Sequence, residues 1–277
     1  GSTCGQWKLH YNFIMRQYIS ALFAAIWFWI PTISVQAIPL KAFLTSAPTA
    51  ASSLPPATSV IAWWALETSG VDSSSNGRNL SVVSSPTHGT GKVSNCFLSS
   101  SGSNWYSSSS SAWQSPAGSF SVCAWIRSSD MTPTTQKGIV GKYNTTGTNR
   151  VWLLRNETAG NMLFIMSSDG TNVTTSGAGA TTLSDNTWYF VCGVFQASTA
   201  VTLYVNGVQD ATNTTSIPSA VHSSSTQSFG LRTFASDSSR GFIGDVDEVG
   251  FFNIALTAGQ VSALYNSGNG VTFSALP

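Results

Sequence analysis

Short strand-like runs separated by polar turns are the feature of this sequence that most constrains its fold. The runs are rich in Val, Phe, Tyr and Trp, which favour a pleated, half-buried surface, and few helical stretches lie between them. A parallel β/α fold needs a helix at each crossover, so this spacing instead predicts an all-β sandwich or jelly roll. The clearest runs are 60–66, 120–127, 150–154, 161–167, 188–195, 201–205, 228–233 and 242–252.

The run 120–127 predicts a strand that is covered on both faces. Its even-numbered residues are all apolar, whereas its odd-numbered residues mix polar side chains with Cys123 and Trp125. Alternate residues of a strand share one face. We therefore expect one face in the core between two sheets and the other face under a partial cover.

Two local motifs predict a turn and a helix. The pair Asn206-Gly207 follows a strand-like run, and it suits a hairpin turn in which both positions have positive φ. Thr257 and Gln260 have the spacing of a capping box, and an apolar face and a Gly268 stop follow them. We expect one short C-terminal helix.

The first 59 residues are predicted to lie outside the domain. Residues 1–14 have the character of an upstream leader or tag, and 15–37 that of a secretory signal peptide with cleavage after Ala37. A transmembrane anchor is the alternative, but Pro31 interrupts an apolar run that is too short to cross a bilayer. The Pro-rich residues 38–59 are typical of a flexible tether, which leaves a domain at 60–273. We expect a secreted or cell-surface protein with no stable membrane span.

The charge of the domain indicates which partners it does not bind, and its cysteines indicate a disulfide more than a metal site. Of the twelve basic residues, Lys8 lies in the leader and Arg16 in the signal peptide, so ten basic and eleven acidic residues remain, and no basic patch suits nucleic acid. Three cysteines also remain, Cys96, Cys123 and Cys192, and they lack the spacing of a metal site. Cys123 and Cys192 both lie in strand-like runs, so we favour a disulfide between them, with three buried thiols as the alternative.

Five segments, in order, resemble the laminin-G-like branch of the concanavalin-A-like lectin and glucanase superfamily. They are an opening strand with an Asp/Asn/Gly loop (60–77), a Gly-Lys segment (91–97), a Trp strand (120–127), a hairpin (188–207), and a closing Gly-Asp-Val-Asp-Glu-Val strand with a helix (244–265). Ser-Ser-Ser-Gly at 99–102 departs from the Asp-Gly turn that is usual in the family. The resemblance implies a jelly roll of two antiparallel sheets that binds carbohydrate or protein.

The closing strand matches only part of the carboxylate pattern that catalysis by glucanases requires. Glucanases of the superfamily place Glu-x-Asp-x-Glu on one face of a strand, as nucleophile and acid/base. Here Asp245 and Asp247 take the first two positions, but Val249 takes the third and Glu248 points to the opposite face. The two histidines of the domain, in polar surroundings, do not indicate a nucleophilic triad. We expect no catalytic residues.

A structural calcium ion is the one cofactor that we expect. Hard cations prefer carboxylate, amide and backbone oxygens, which the loop after the opening strand supplies through Asp72 and Asn76. The resemblance implies that Asp247 of the closing strand completes the site. The alternative is that Asp72 and Asn76 form an Asx turn while Asp247 bonds to backbone.

Aromatic residues near polar loops are the candidate ligand contacts, because pyranose rings stack on Trp and Tyr. The candidates are Trp105, Tyr106, Trp113 and Tyr143, and a position in the core is the alternative for each. The leading hypothesis is a secreted, non-catalytic domain that binds a glycan or a glycosylated surface. The others are an adhesive or structural surface protein that binds protein, and a polysaccharide hydrolase.

Overall fold

Two antiparallel sheets form the domain in a computed structural model that describes residues 53–99, 105–231 and 238–277. The predicted leader, the signal peptide and most of the predicted tether lie outside these residues. The first sheet has eight strands: β1 (Val60–Trp64), β3 (Thr87–Thr90), β4 (Asn95–Ser99), β6 (Phe120–Arg127), β11 (Tyr189–Gln196), β12 (Ala200–Val205), β13 (Val208–Asn213) and β15 (Gly244–Phe252). Their edge-to-edge order is β13, β12, β11, β6, β15, β4 and β3, and β1 also pairs with β15.

The second sheet has seven strands: β2 (Ser81–Val83), β5 (Trp105–Ser108), β7 (Lys137–Tyr143), β8 (Arg150–Asn156), β9 (Met162–Met166), β10 (Thr174–Thr175) and β14 (Phe229–Leu231). Their order across the sheet is β10, β9, β8, β7, β14, β5 and β2. Four of the seven neighbouring pairs in the first sheet and three of the six in the second join strands that are not consecutive in the chain, as in a jelly roll. The predicted all-β jelly-roll sandwich is therefore confirmed.

Strand β6 has the two covered faces that its pattern predicts. Its even-numbered residues belong to the core between the sheets, where Phe120 contacts Trp152 and Phe164 of the opposite sheet. Its odd-numbered Cys123 and Trp125 belong to a second apolar cluster on the outer face of the eight-stranded sheet. The mixed pattern of this strand follows from that double burial.

The outer cluster is covered by the helix α1 (Ala258–Tyr265) and the segment after it. Thr257 caps the helix, because its side chain accepts a hydrogen bond from the Gln260 N–H while the Gln260 side chain accepts one from the Thr257 N–H. Tyr265 stacks on Trp125 with 5.7 Å between ring centroids. The helix ends at Tyr265, three residues before the predicted Gly268 stop, because Asn266 takes the left-handed conformation first.

The other predicted local motifs lie where the sequence placed them. Asn206 (φ 50°) and Gly207 (φ 79°) form the turn between β12 and β13, and both take the positive φ that this turn requires. Cys123 and Cys192 are paired residues of β6 and β11 with Cα atoms 4.1 Å apart, and the structure joins them by a disulfide. Cys96 is a buried free thiol, and burial raises its pKa to about 12.

The packed domain extends beyond the predicted limits of 60 and 273. Ala57–Ser59, which the sequence analysis placed in the tether, forms a 3-10 turn, and the Ala57 N–H donates to the Pro277 carbonyl at 2.8 Å. Leu276 is buried in the outer cluster. Both ends of the domain are thus tied to each other. Within the described part of the chain, no helix has both the length and the apolar character that a membrane span requires.

Candidate ligand-binding cleft

An open cleft of about 480 Å³ lies beside the start of β1. Four parts of the chain form it: the 3-10 turn with β1, the loop between β1 and β2, the loop before β6, and Asn253 directly after β15. Its lining mixes hydroxyl and amide side chains with an indole and a guanidinium. The lining residues are Ala57, Thr58, Val60, Ile61, Ser75, Asn76, Arg78, Trp113, Pro116, Ala117, Gly118, Ser119 and Asn253.

Asp72 fixes the loop between β1 and β2. Its Oδ1 accepts hydrogen bonds from the N–H groups of Trp63 (3.0 Å) and Ser74 (2.9 Å), and its Oδ2 accepts one from the Arg78 N–H (2.8 Å). Asn76 donates through Nδ2 to the carbonyls of Val60 and Ile61, at 2.9 and 3.0 Å. The polar residues that the sequence analysis assigned to calcium therefore hold the loop against β1.

Arg78 is held in the cleft by contacts from its backbone and its side chain. Its carbonyl accepts a hydrogen bond from the Trp64 indole at 2.9 Å, and its Nη1 donates to the Ile61 carbonyl. Its guanidinium carbon lies over the Trp113 ring, 5.3 Å from the ring centroid. A cation over an indole face is attractive, so Trp113 restricts the guanidinium to the cleft.

Trp113 is positioned by the buried residue that follows it. Gln114, which is fully buried, donates through Nε2 to the Ser109 carbonyl at 2.7 Å, and its Oε1 accepts from the Ser111 N–H at 3.0 Å. The Gln114 carbonyl in turn accepts from the Trp152 indole at 2.8 Å. The loop is thus fastened to the core beneath it.

The charge of the cleft comes from one residue. Among the described residues that line it, Arg78 alone is charged, and none of the acidic residues in the described ranges forms a salt bridge with it. Burial lowers the pKa of Arg78 from its ordinary value, and the nearby Asp72 charge acts in the opposite direction. The ordinary pKa of arginine is so high that the guanidinium remains positive.

The four predicted aromatic contacts lie in different places. Trp113 lines the cleft, but the core aromatics Trp64 and Phe229 contact it at 6.2 and 5.4 Å between centroids, and Arg78 lies over its ring. It is therefore a support for Arg78 more than a free stacking surface. Trp105 is half-buried at the start of β5 and does not line the cleft.

The structure corrects the assignments of Tyr106 and Tyr143. Tyr106 is 1% exposed, contacts Phe97, and its hydroxyl lies 2.9 Å from His88 Nε2. Tyr143 is 4% exposed and packs with Leu153 and neighbouring aliphatic side chains. Both rings are buried, so neither presents a face to a ligand.

The three predicted calcium ligands do not form one ligand set. Asp72 already accepts three backbone hydrogen bonds, and the Asn76 amide nitrogen faces the β1 carbonyls. Asp247 faces a different loop, where its Oδ2 accepts from the N–H groups of Lys92 and Val93 at 2.8 and 2.9 Å. In the described ranges, no three His, Cys, Asp or Glu side chains are placed to hold one metal ion. This donor set matches the Asx-turn alternative, and calcium binding stays a prediction.

Two adjacent carboxyl groups of β15 are buried. Asp247 is fully buried, and burial raises its pKa to about 7 although backbone hydrogen bonds oppose the shift. Glu248 is 2% exposed and accepts a hydrogen bond from the Trp63 indole, and burial raises its pKa to about 8. One oxygen of each, Asp247 Oδ1 and Glu248 Oε1, has no hydrogen-bond partner among the described residues. Burial therefore favours their neutral forms.

A second cavity, of about 310 Å³, lies beside the start of β15. It contains Arg127 and Asp245, whose side chains form a salt bridge of 2.7 Å. The Arg127 guanidinium carbon lies 4.8 Å from the centroid of the Trp188 ring. The first carboxylate of the glucanase-like pattern is thus paired with an arginine, and the second, Asp247, is buried.

Comparison with known families agrees with this architecture. A laminin G family model, described as the concanavalin A-like lectin/glucanases superfamily, matches residues 100–262, more than half of the chain. The chain belongs to this superfamily. No curated protein matches the chain significantly in sequence.

Solved structures of the same fold include several binding domains. The binding domain of Paraclostridial Mosquitocidal Protein 1 has a TM-score of 0.62 and 16% identity, with 76% of this chain and 52% of that chain covered. Domain 4 of AbnA, an extracellular arabinanase from Geobacillus stearothermophilus, was solved with arabinotriose and has a TM-score of 0.58 and 18% identity over 74% of this chain and 97% of that one.

A third structure of this fold is the botulinum neurotoxin serotype D ligand-binding domain with N-acetylneuraminic acid. Its TM-score is 0.55 and its identity 18%, over 76% of this chain and 51% of that chain. The chain therefore spans about half of the length of the toxin domains. At these identities the likeness shows the shared fold.

Arg78 is the candidate site residue that the sequence analysis did not select. It follows an Asp/Asn/Gly loop whose side chains indicated only oxygen ligands for a cation. Its placement depends on Trp113, which is 35 positions away in the sequence. The sequence signal that could have directed attention to it is an isolated cation in a chain with only 8% charged residues.

Proposed function

We propose that this domain is a secreted, non-catalytic recognition module that binds glycans in the cleft around Arg78 and Trp113. The observation that carries the proposal is the cleft itself, because its volume lies within the range of about 300 to 1,000 Å³ that is typical of ligand sites. The side chains of Ser75, Asn76 and Asn253 supply hydrogen-bonding groups for sugar hydroxyls.

Two further observations support this function. Arabinanase domain 4 was solved with arabinotriose and the toxin domain with N-acetylneuraminic acid, so proteins of this fold bind carbohydrate. The closing strand also argues against glucanase chemistry, because Asp245 is engaged by Arg127 and Asp247 is buried. A general acid and a nucleophile need access to the scissile bond.

A variant that fills the cleft tests the proposal. Gly118 lines the cleft, and a Cβ at this position would meet no atom within 4 Å, so a larger side chain fits there without a clash at its base. We expect the wild-type domain to bind glycans on an array, Gly118→Ala to bind equally, and Gly118→Trp to lose binding. If no glycan binds, the proposed function is wrong. Equal binding by Gly118→Trp would place the site elsewhere.

Calcium binding is a separate proposal with a separate test. An ion that binds only the native state raises the midpoint of thermal unfolding by mass action. Unfolding is therefore measured with calcium and with a chelator, on the wild-type domain and on Asp247→Asn. A shift in the wild type that disappears in Asp247→Asn would support a site at β15, and equal midpoints would exclude a stabilising ion.

A further inference from the structure

We propose that the cleft selects acidic glycans, with the Arg78 guanidinium binding a sugar carboxylate. This inference rests on the proposed function and names the class of its ligand. The first observation is the charge of the site, because Arg78 is the one charged side chain among the described residues of the lining. A cleft with a single unpaired cation complements an anion.

The second observation is the hydrogen-bonding capacity of Arg78. A guanidinium has five N–H donors, and within the described ranges the side chain donates one hydrogen bond, from Nη1 to the Ile61 carbonyl. The remaining donors form a planar fork that matches the two oxygens of a carboxylate. Neutral sugars offer hydroxyl groups, which do not use this geometry or this charge.

The third observation is that the guanidinium is already in place. The Trp64 indole bonds to the Arg78 carbonyl, Asp72 bonds to the Arg78 N–H, and the Trp113 ring lies under the guanidinium. A side chain that is fixed before binding loses less conformational entropy when the ligand arrives. Trp113 therefore acts as a positioning residue for Arg78.

Asp72 is the one charge near Arg78 that opposes an anionic ligand. It is 7% exposed, does not line the cleft, and its oxygens accept three backbone hydrogen bonds. Both carboxylate oxygens are therefore engaged by backbone N–H groups. Arg78 lines the cleft and Asp72 does not, so the guanidinium is the charge that a ligand in the cleft contacts.

Pairs of sugars that differ by the carboxylate charge measure the contribution of that group to binding. The probes are 3′-sialyllactose against lactose, and tetragalacturonate against its methyl ester, in which the same sugars lack the charge. Binding is measured by calorimetry on the wild-type domain, Arg78→Gln, Arg78→Lys and the control Arg127→Gln. The two acidic probes separate a sialic acid from a uronic acid as the source of the carboxylate.

We expect at least one acidic probe to bind at least tenfold more tightly than its neutral partner. Arg78→Gln should remove this difference, Arg78→Lys should keep part of it because lysine retains the charge without the fork, and Arg127→Gln should keep all of it. Urea unfolding of each variant shows that the fold is retained. Added salt should lower the affinity for the acidic probe and leave the affinity for the neutral probe unchanged.

The results that overturn the inference differ from those that overturn the proposed function. Equal affinity for charged and neutral partners, or an unchanged preference in Arg78→Gln, refutes acidic selection while glycan binding stands. Failure of all four probes, with other glycans bound on the array, also refutes it. A domain that binds no glycan at all refutes both.

Discussion

Two arginines of this domain lie over tryptophan rings, at two different cavities, and their partners differ. Arg78 lies over Trp113 and has no salt bridge with any described acidic residue, whereas Arg127 lies over Trp188 and pairs with Asp245 at 2.7 Å. At the second cavity the charge of the arginine is already neutralised within the protein. The comparison shows why the first cavity is the candidate site: the aromatic support is common to both, but the unpaired charge is not.

The acidic residues of the two regions also differ. In the Arg78 region both carboxylate oxygens of Asp72 accept hydrogen bonds from backbone N–H groups. In the Arg127 region, β15 supplies Asp245 to the salt bridge and buries Asp247 and Glu248 with raised pKa values. The Asp72 carboxylate of the first region therefore stabilises a loop, whereas Asp247 and Glu248 of the second region make the free energy of unfolding depend on pH.

The largest expected effect is a loss of stability at high pH that originates at β15. Asp247 and Glu248 have ordinary pKa values of about 3.9 and 4.3 in the unfolded chain, and about 7 and about 8 in the folded domain. The folded state therefore binds more protons between about pH 4 and pH 8, and the free energy of unfolding falls as pH rises through that window. Each group contributes at most about 1.4 kcal/mol per pH unit.

Urea unfolding in a chelator, from pH 5 to pH 9, measures this slope. Asp247→Asn retains a carbonyl oxygen that accepts from the Lys92 and Val93 N–H groups and removes one titrating group. It should flatten the slope and be more stable than the wild type at pH 9. A wild-type stability that rises between pH 5 and pH 8 would contradict the shifted pKa values.

Asp72→Ala should destabilise the domain far more than Asp245→Ala. Asp72→Ala leaves the N–H groups of Trp63, Ser74 and Arg78 without their acceptor, and we expect a loss of about 3 kcal/mol. Asp245→Ala removes a partly exposed ion pair, which we expect to cost about 1 kcal/mol or less. Urea unfolding compares the two variants, and equal losses would show that Asp72 is not the main support of its loop.

Trp113→Phe should weaken acidic binding a few-fold, because a phenyl ring attracts a guanidinium less strongly than an indole does. Trp188→Phe is the matched change at the second arginine, and it should leave binding unchanged. Calorimetry with the acidic probe measures both variants. If Trp188→Phe weakens binding as much as Trp113→Phe, the two regions do not differ in the way proposed.

The smallest expected effect is a gain of function in Asp245→Asn. This change keeps the shape of the side chain but removes the charge that neutralises Arg127, so the second cavity should gain weak affinity for a carboxylate. Calorimetry should then show a second, weaker binding event with the acidic probe. Unchanged stoichiometry would indicate that an unpaired arginine over a tryptophan is not sufficient, and that the polar groups of the first cleft are also needed.

The sequence predicted those parts of the fold that depend on local pattern. The alternation in 120–127 predicted both faces of β6, Asn206-Gly207 predicted the hairpin turn, and Thr257 with Gln260 predicted the start of α1. Short polar strands such as β2 and β3 were not predicted, because their exposed residues lack a hydrophobic period.

The candidate site was predictable only in part, because it depends on burial and on contacts between distant residues. Tyr106 and Tyr143 have polar neighbours in the sequence yet are buried, and a local pattern does not separate a core ring from an exposed one. The sequence alone makes Trp113 a candidate ligand contact. Its contact with Arg78 is not predictable from the sequence, because it joins two loops that only the fold brings together.

The most direct test of the account observes both arginines in one experiment. In the NMR spectrum of the labelled domain, the side-chain Nε–H signals of Arg78, Arg127, Trp113 and Trp188 report separately on the two cavities. Titration with 3′-sialyllactose, and separately with tetragalacturonate, should shift the Arg78 and Trp113 signals and leave the Arg127 and Trp188 signals in place for the probe that binds. Shifts at Arg127 and Trp188 without shifts at Arg78 and Trp113 would contradict the account.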